Sequence, residues 1–316
     1  MFAWDEGACM APKEVWNGVM LVHWGNTNKK HRNSTTAYDD DNWDSIPQDL
    51  RGNHSCFDPV KDIVLPAWKS PYDISFGINK LRNHSRYIEE RFIFFYFNGN
   101  LGPAYNGRPE ERYSMGIRQK IGEEFGSTPN KEGKLGKQWQ EDVMVLSKRS
   151  DNYQEELSSS IFCGVFPGDG WSGRMEDSIL HGCIPVIIQD GIYLPYENVF
   201  DLESFGVRIS EDDIPNMIRI LRNISETEIE RKQMNLMGIF QRFLYRDPIV
   251  LEAERQKHDF GLVEDWAVQF SQLKEDDVFA TLVQILHYKL HNDEWRKEFE
   301  SSKSWKHYGV PAQCVV

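Results

Sequence analysis

The stretch FCGVFPGDGWSGRMEDSILHGCIPVIIQD, residues Phe162 to Asp190, decides how this chain is read. An apolar run, Ile161 to Phe166, stops at the loop Pro167-Gly168-Asp169-Gly170-Trp171-Ser172-Gly173. A helical pattern over Gly173 to His181 and a second apolar run, Ile184 to Gln189, follow. Strand, helix and strand of these lengths predict a parallel, right-handed βαβ unit. Ligands of open parallel sheets bind outside the carboxyl ends of the strands, which is where this loop falls. Its glycines permit positive φ and close backbone approach. The free N–H groups of the following helix favour an anion such as a diphosphate. Arg174, Asp177 and His181, spaced i, i+3, i+7, share one helix face, while Met175 and Ile179 share another and are expected to pack on the sheet. An arginine in the first turn can grip phosphate oxygens, and a carboxylate one turn later can accept hydrogen bonds from ribose hydroxyls. The plainer alternative is a surface ion pair, Arg174 with Asp177, on an ordinary crossover. No Gly-x-Gly-x-x-Gly follows the first strand and no Gly-Lys-Ser/Thr occurs, so neither a nicotinamide fingerprint nor a P-loop is present.

Working outward, Phe92 to Phe97 reads as a strand buried on both faces. Glu110 to Phe125 reads as a helix, Asp142 to Leu146 as a weaker strand, and Tyr153 to Ser158 as a short helix. Gly206 to Ile209 is a last short strand, before a helix from about Asp213 to Arg222. Glu226 to Tyr245 and Asp276 to His291 read as packing helices. Upstream, Gly18 to Val22 and Asp62 to Pro66 are short strand candidates, the second followed by a proline-containing connection through Pro71. The expected class is α/β, with a parallel sheet in the C-terminal half and a helical tail.

The 316 residues carry a formal net charge of −13, which argues against nonspecific binding to nucleic acid or an anionic membrane surface. No apolar run approaches the roughly 20 residues of a bilayer span. Four sequons, at Asn33, Asn53, Asn83 and Asn223, exceed the roughly one or two expected by chance and point mildly to a secretory lumen. The five cysteines are too few and scattered for a disulfide scaffold. Cys163 and Cys183, inside apolar runs, read most simply as buried thiols.

The central stretch resembles the exostosin family of inverting glycosyltransferases, family 47. The residues that carry the likeness are Phe162-Cys163, Pro167, Gly168, Arg174, Asp177 and Gly182-Cys183-Ile184-Pro185-Val186-Ile187. Further matches in order are His23-Trp24-Gly25, Lys61 to Pro66, Arg91 to Gly99, Arg118, Leu194-Pro195-Tyr196 and Phe205 to Asp212. The resemblance implies a GT-B-like α/β enzyme of two Rossmann-like halves with the N-terminal half abbreviated: 1–88, a partial acceptor-side domain; 89–250, a nucleotide-sugar-binding domain; and 251–316, a helical extension. Such an enzyme moves a sugar from a nucleotide donor, usually UDP-linked, to a hydroxyl of a glycan or glycoprotein. The resemblance leaves open whether a hexosyl, pentosyl or glycuronosyl group moves. Under it, Arg174 would neutralise charge on the leaving nucleotide and Asp177 would hold the ribose. Arg118 would supply a second phosphate contact, Gly99 would let the first loop approach, and Gly168, Asp169, Ser172 and Gly173 would complete the donor site. A base must take the acceptor's proton during inversion, and His23 is the candidate, with a structural turn as its other reading. No cofactor is expected to be required, with a divalent cation such as Mn as the alternative. Asp39-Asp40-Asp41 reads as a solvated run rather than a metal motif, and the i, i+4 pair His287 and His291 as surface. The family also implies the Golgi lumen, with no anchor in this chain, and permits a homo- or heterodimer. The short N-terminal half leaves two alternatives: a fragment of a longer chain, or a non-catalytic glycan-binding or partner-stabilising subunit.

Overall fold

The computed structural model describes residues 18–27, 57–82, 91–105, 113–197, 199–261, 265–274 and 276–292, with positions 8 and 15. Two short strands come first, β1 (Leu21–Val22) and β2 (Gly25–Asn26), and β3 (Ile63–Val64) pairs in parallel with β1. Helix α1 (Pro71–Arg82) leads into the alternating region. That region runs β4 (Ile93–Asn98), α2 (Ile117–Phe125), β5 (Val143–Leu146), α3 (Tyr153–Ser158), β6 (Ser160–Val165), α4 (Arg174–Leu180) and β7 (Ile184–Ile187). Strand β8 (Ile192–Tyr193) pairs antiparallel with β2, and β9 (Val207–Arg208) follows. Helices α5 (Met217–Arg222), α6 (Glu226–Ile239), α7 (Arg246–Phe260), α8 (Asp265–Ser271) and α9 (Val278–His291) come last. No helix among the described residues is long and apolar enough to cross a membrane.

Five strands form one parallel sheet in the order β5-β4-β6-β7-β9. The α/β class and parallel sheet are as the sequence predicts. Every residue of β4 is buried, so its unbroken apolar run reflects cover on both faces. The chain enters the sheet at β4, adds β5 on one side, then crosses to β6 on the other. The strand order therefore reverses between β4 and β6, and their carboxyl ends bound the crevice where doubly wound sheets take ligands.

One hydrophobic cluster contains residues from Ile63 to Ile285. Met175 and Ile179 of α4 are buried in it, as their spacing predicts. Helix α1 contributes Ile74, Ile78 and Leu81, and Gly77 lets it press against the end of α4. A Cβ at Gly77 would lie 2.4 Å from the Leu180 carbonyl oxygen.

Four expectations need correction. The proline-containing connection is the start of α1: Pro71 occupies the first helical position, where its fixed φ and missing N–H cost nothing. The helix anticipated from Glu110 begins only at Ile117, after a tight turn over Tyr113–Gly116 in which Ser114 and Met115 both have φ of 53°. The anticipated helix over Asp213 to Arg222 is a 3-10 segment (Glu211–Asn216) before α5, with Pro215 inside it. Finally, Cys163 and Cys183 are not thiols but a disulfide, with Cα atoms 5.8 Å apart. Parallel pairing of β6 with β7 sets Cys163 opposite Pro185, so Cys183 arrives within bridging distance. Asp39 to Asp41 and the sequons at Asn33, Asn53 and Asn83 lie outside the described residues.

Candidate active site

At the reversal point, β4 ends in Asn98-Gly99 and β6 runs into Phe166-Pro167-Gly168. Two guanidinium groups converge there. A Cβ added at Gly99 would lie 3.3 Å from Arg174 Nη2 and 3.5 Å from Arg118 Nη1, so only a glycine leaves the space between them open. Arg174 Nη2 donates to the Asn98 carbonyl at 2.6 Å, while Nη1 donates to Asp177 Oδ2 at 3.2 Å and to the Tyr153 hydroxyl. Arg118 Nη1 donates to the Tyr113 hydroxyl at 2.8 Å, and Nη2 to the Phe166 carbonyl at 3.1 Å and Ser172 Oγ at 3.3 Å. Both guanidinium groups lie over the Phe97 ring, at 5.3 Å for Arg118 and 5.9 Å for Arg174.

The backbone strain of the Tyr113–Gly116 turn sits at this point. Ser114 N–H donates to the Gly168 carbonyl at 3.0 Å and its hydroxyl to the Pro167 carbonyl at 2.6 Å, binding the turn to the glycine loop. Left-handed conformations at two non-glycine residues cost on the order of 1–3 kcal/mol each and persist where surrounding contacts dictate them. The loop thus holds its shape through partners from another part of the chain.

Asp177 is buried, so the reading of an exposed ion pair with Arg174 does not hold. Its Oδ1 meets Lys69 Nζ at 2.5 Å, and Oδ2 takes Arg174 and the Tyr153 hydroxyl at 3.0 Å. Burial alone would raise the Asp177 carboxyl, but Lys69 and Arg174 outweigh it and hold the group below the usual carboxylate value. Burial likewise opposes the charge on Arg174, and neighbouring Tyr153 and Asp177 more than offset it. Arg118, buried more completely, is lowered to about 10 and remains a cation at neutral pH. His181 donates from Nδ1 to the Asp177 carbonyl at 2.7 Å, and burial lowers it to about 4. It is therefore neutral and structural.

Lys69 was not anticipated from sequence. It arrives from the segment between β3 and α1, and a Cβ at Gly173 would lie 2.7 Å from its Nζ. Its neighbour Ala67 donates its N–H to Glu176 Oε1 at 2.7 Å, and Tyr245 donates to the Pro66 carbonyl at 2.8 Å. The consecutive carboxylates Glu176 and Asp177 thus clasp one strap, residues 66–69. No local pattern in residues 66–70 marks this, because the partners are distant in sequence.

His23 reaches the same loop. Its ring lies 5.2 Å from that of Trp171, and Nδ1 donates to the Leu65 carbonyl at 2.8 Å, leaving Nε2 with the lone pair in the neutral form. Burial lowers its pKa, partly offset by the Leu65 bond. Gly168 flanks Arg118 at 3.5 Å from its Nη2, measured to an added Cβ, and Asp169 lies near enough to favour the Arg118 charge. A cleft of about 860 Å³ opens on the β5 side of Arg174, lined by Gly99, Tyr105, Lys148, Arg149 and Tyr153 among others. Among the described residues, no three His, Cys, Asp or Glu side chains are grouped to hold a metal ion. His287 and His291 lie ring against ring on α9, with centroids 4.3 Å apart and planes tilted by 55°.

Comparison with known proteins agrees with this architecture. A model of the exostosin GT47 domain matches residues 1–224. A probable glucuronosyltransferase GUT1 of Oryza sativa subsp. japonica is 31% identical over 191 residues, 58% of this chain and 40% of the relative. A probable beta-1,4-xylosyltransferase IRX10 of Arabidopsis thaliana is 30% identical over 188 residues, 57% of this chain and 40% of the relative. A probable glucuronoxylan glucuronosyltransferase of the same plant is 27% identical over 206 residues, 63% and 40% respectively. The chain spans about 40% of the length of the curated relatives it matches. With a domain model covering most of its length, and a parallel α/β sheet consistent with a GT-B-like glycosyltransferase fold, the chain belongs to the exostosin GT47 family.

Proposed function

We propose that this chain provides the donor-binding part of an inverting glycosyltransferase. Its donor is a UDP-linked sugar, and its acceptor is a hydroxyl of a glycan or glycoprotein. The observation that carries the reading is the convergence of Arg118 and Arg174 on the open space above Gly99, at the reversal point of the sheet. Held cations aimed at one spot suit a diphosphate leaving group, whose charge grows as the glycosidic bond breaks. Lys69 adds a third positive charge beside Gly173. Asp177 keeps Lys69 and Arg174 in place, and a ribose hydroxyl would join them through the remaining lone pairs of its carboxylate.

In the transfer, the acceptor oxygen attacks the anomeric carbon from the face opposite the diphosphate. A carbon–oxygen bond forms, the bond to phosphate breaks, and the acceptor proton passes to a base. His23 Nε2 suits that role, since the Leu65 carbonyl fixes the tautomer and burial favours the neutral ring. The guanidinium groups supply the charge a divalent ion would otherwise provide, so turnover without added Mn is expected. Relatives named for glucuronosyl and xylosyl transfer make those two sugars the first donors to test. Lys148 and Arg149 on the cleft wall would suit a uronate carboxylate. The buried disulfide and the exposed Asn223 sequon support a secretory compartment, and the Golgi lumen is the proposed location.

The test is calorimetric titration with UDP, GDP and NAD, alongside Arg174→Ala. UDP binding that weakens at least tenfold in the variant, with thermal stability retained, is the expected result. Equal losses of folding and binding would make Arg174 structural, and no binding of any nucleotide would favour a non-catalytic glycan-binding subunit.

A further inference from the structure

The triplet Asn223-Ile224-Ser225 is the sequon that falls among the described residues, and it forms the whole connection between α5 and α6. Its three side chains are divided between inside and outside. Ile224 is half-buried and packs against the main hydrophobic cluster. Ser225 is the N-cap of α6, where its Oγ accepts the Glu228 N–H at 3.3 Å. Asn223 is exposed, and its carboxamide takes no partner from among the described residues.

The backbone supplies no reason for an asparagine at this point. Asparagine often follows a helix because it tolerates the left-handed region. Asn223 has φ of −83° and ψ of −7°, which every residue type except glycine adopts with equal ease. Its N–H donates to the Ile220 carbonyl at 3.1 Å, a bond that any residue but proline can make. What distinguishes the position is a free carboxamide on a tightly held surface turn, two residues ahead of a serine, and that is the pattern of a glycan acceptor. Until α6 winds, Ser225 is uncapped and the triplet is available on the extended chain.

The place of the turn in the fold leaves room for a branched sugar. Next to it, the Arg222 guanidinium lies 3.7 Å over the Phe94 ring and donates to both Asp142 carboxylate oxygens at 2.8 Å. Phe94 and Asp142 stand at the amino ends of β4 and β5. Gly99, between the two guanidinium groups of the donor site, lies beyond the carboxyl end of β4, about 16 Å further along the strand. A glycan on Asn223 therefore projects from the opposite pole of the sheet and leaves the donor cleft open.

We infer that Asn223 is a modification site that carries an N-linked oligosaccharide. This rests on the lumenal location proposed above. The co-substrate is a lipid-diphosphate-linked oligosaccharide. Asn223 Nδ2 attacks its anomeric carbon, a carbon–nitrogen bond forms, and the bond from that carbon to the diphosphate oxygen breaks. The diphosphate leaves with the electron pair, and the nitrogen gives up one proton to a base of the transferring enzyme.

The experiment makes the full chain behind a secretory leader in a eukaryotic cell line and treats the purified protein with peptide N-glycosidase F in heavy-oxygen water. Trypsin cuts after Arg222 and Arg231, releasing residues 223–231, which hold no other sequon. The expected result is that most of this peptide carries heavy-oxygen aspartate at position 223, while an enzyme-free control keeps asparagine. On a gel, Asn223→Gln should run one glycan step ahead of the parent. The triple variant Asn33→Gln/Asn53→Gln/Asn83→Gln should still shift by one step when deglycosylated. An unlabelled peptide, in protein whose other sequons are occupied, overturns the site and leaves the lumenal location standing. Lumenal protein bare at every sequon overturns the site as well. A chain that the leader cannot carry into the lumen, scored by protease protection, overturns the site and the location together.

Discussion

Glu176 supplies a quantitative test of how α4 is seated. Its side chain is buried among Ala67, Tyr196 and Tyr245, and burial raises its pKa from 4.5 to about 7, against the opposing pull of Lys69. Oε1 accepts the Ala67 N–H, and Oε2 has no hydrogen-bond partner among the described residues. A carboxyl raised in the native state binds more protons there than in the unfolded chain. Stability is therefore greatest below the unfolded value and falls as pH rises through the window from 4.5 to about 7. At about 1.4 kcal/mol per unit, the full loss is about 3 kcal/mol, of which about 2 kcal/mol falls between about pH 5.5 and about pH 8. Glu176→Gln keeps the shape and the acceptor for Ala67 but cannot ionise. Urea unfolding of both proteins across that range, with the disulfide intact, should show the variant gaining about 2 kcal/mol on the parent as pH rises. Other titrating groups cancel in the difference. Parallel profiles, or a gain in the opposite direction, would refute the reasoning and mean that water or relaxation solvates Glu176.

Gly99→Ala should change stability by less than about 1 kcal/mol, because no positive φ is needed there. UDP affinity should fall tenfold or more as the methyl group enters the space between Arg118 and Arg174, and unchanged affinity in calorimetry would remove that space from the donor site. Cys163→Ala/Cys183→Ala should lose about 3 kcal/mol in urea unfolding, the chain-entropy value for a loop of 20 residues. Free thiols at both positions in unreduced protein would contradict the bridge. If His23 is the base, its lowered pKa places the acid-side fall of kcat/KM below the ordinary histidine value of 6.5, as the ring gains a proton. An identical profile in His23→Gln would exclude it.

The local half of this picture was legible in the sequence. Apolar runs gave the strands β4, β6 and β7, and the spacing of Met175 and Ile179 gave the buried face of α4, because side-chain periodicity records which face is covered. Gly99, Arg118 and Arg174 were each identified one at a time. Helix α1 was missed because its proline was read as a break rather than as a first-turn residue.

The sequence by itself determined the parallel α/β class and marked Arg174 and the glycine loop as candidates for the site, since both rest on patterns a few residues long. Only the tertiary structure decided that Arg118 and Arg174 face one another across Gly99, that Lys69 pairs with Asp177, that His23 lies against Trp171, and that Cys163 bonds to Cys183. Those meetings depend on strand order and on the path of distant segments over the sheet. Long-range packing sets both, and no short window of sequence encodes it.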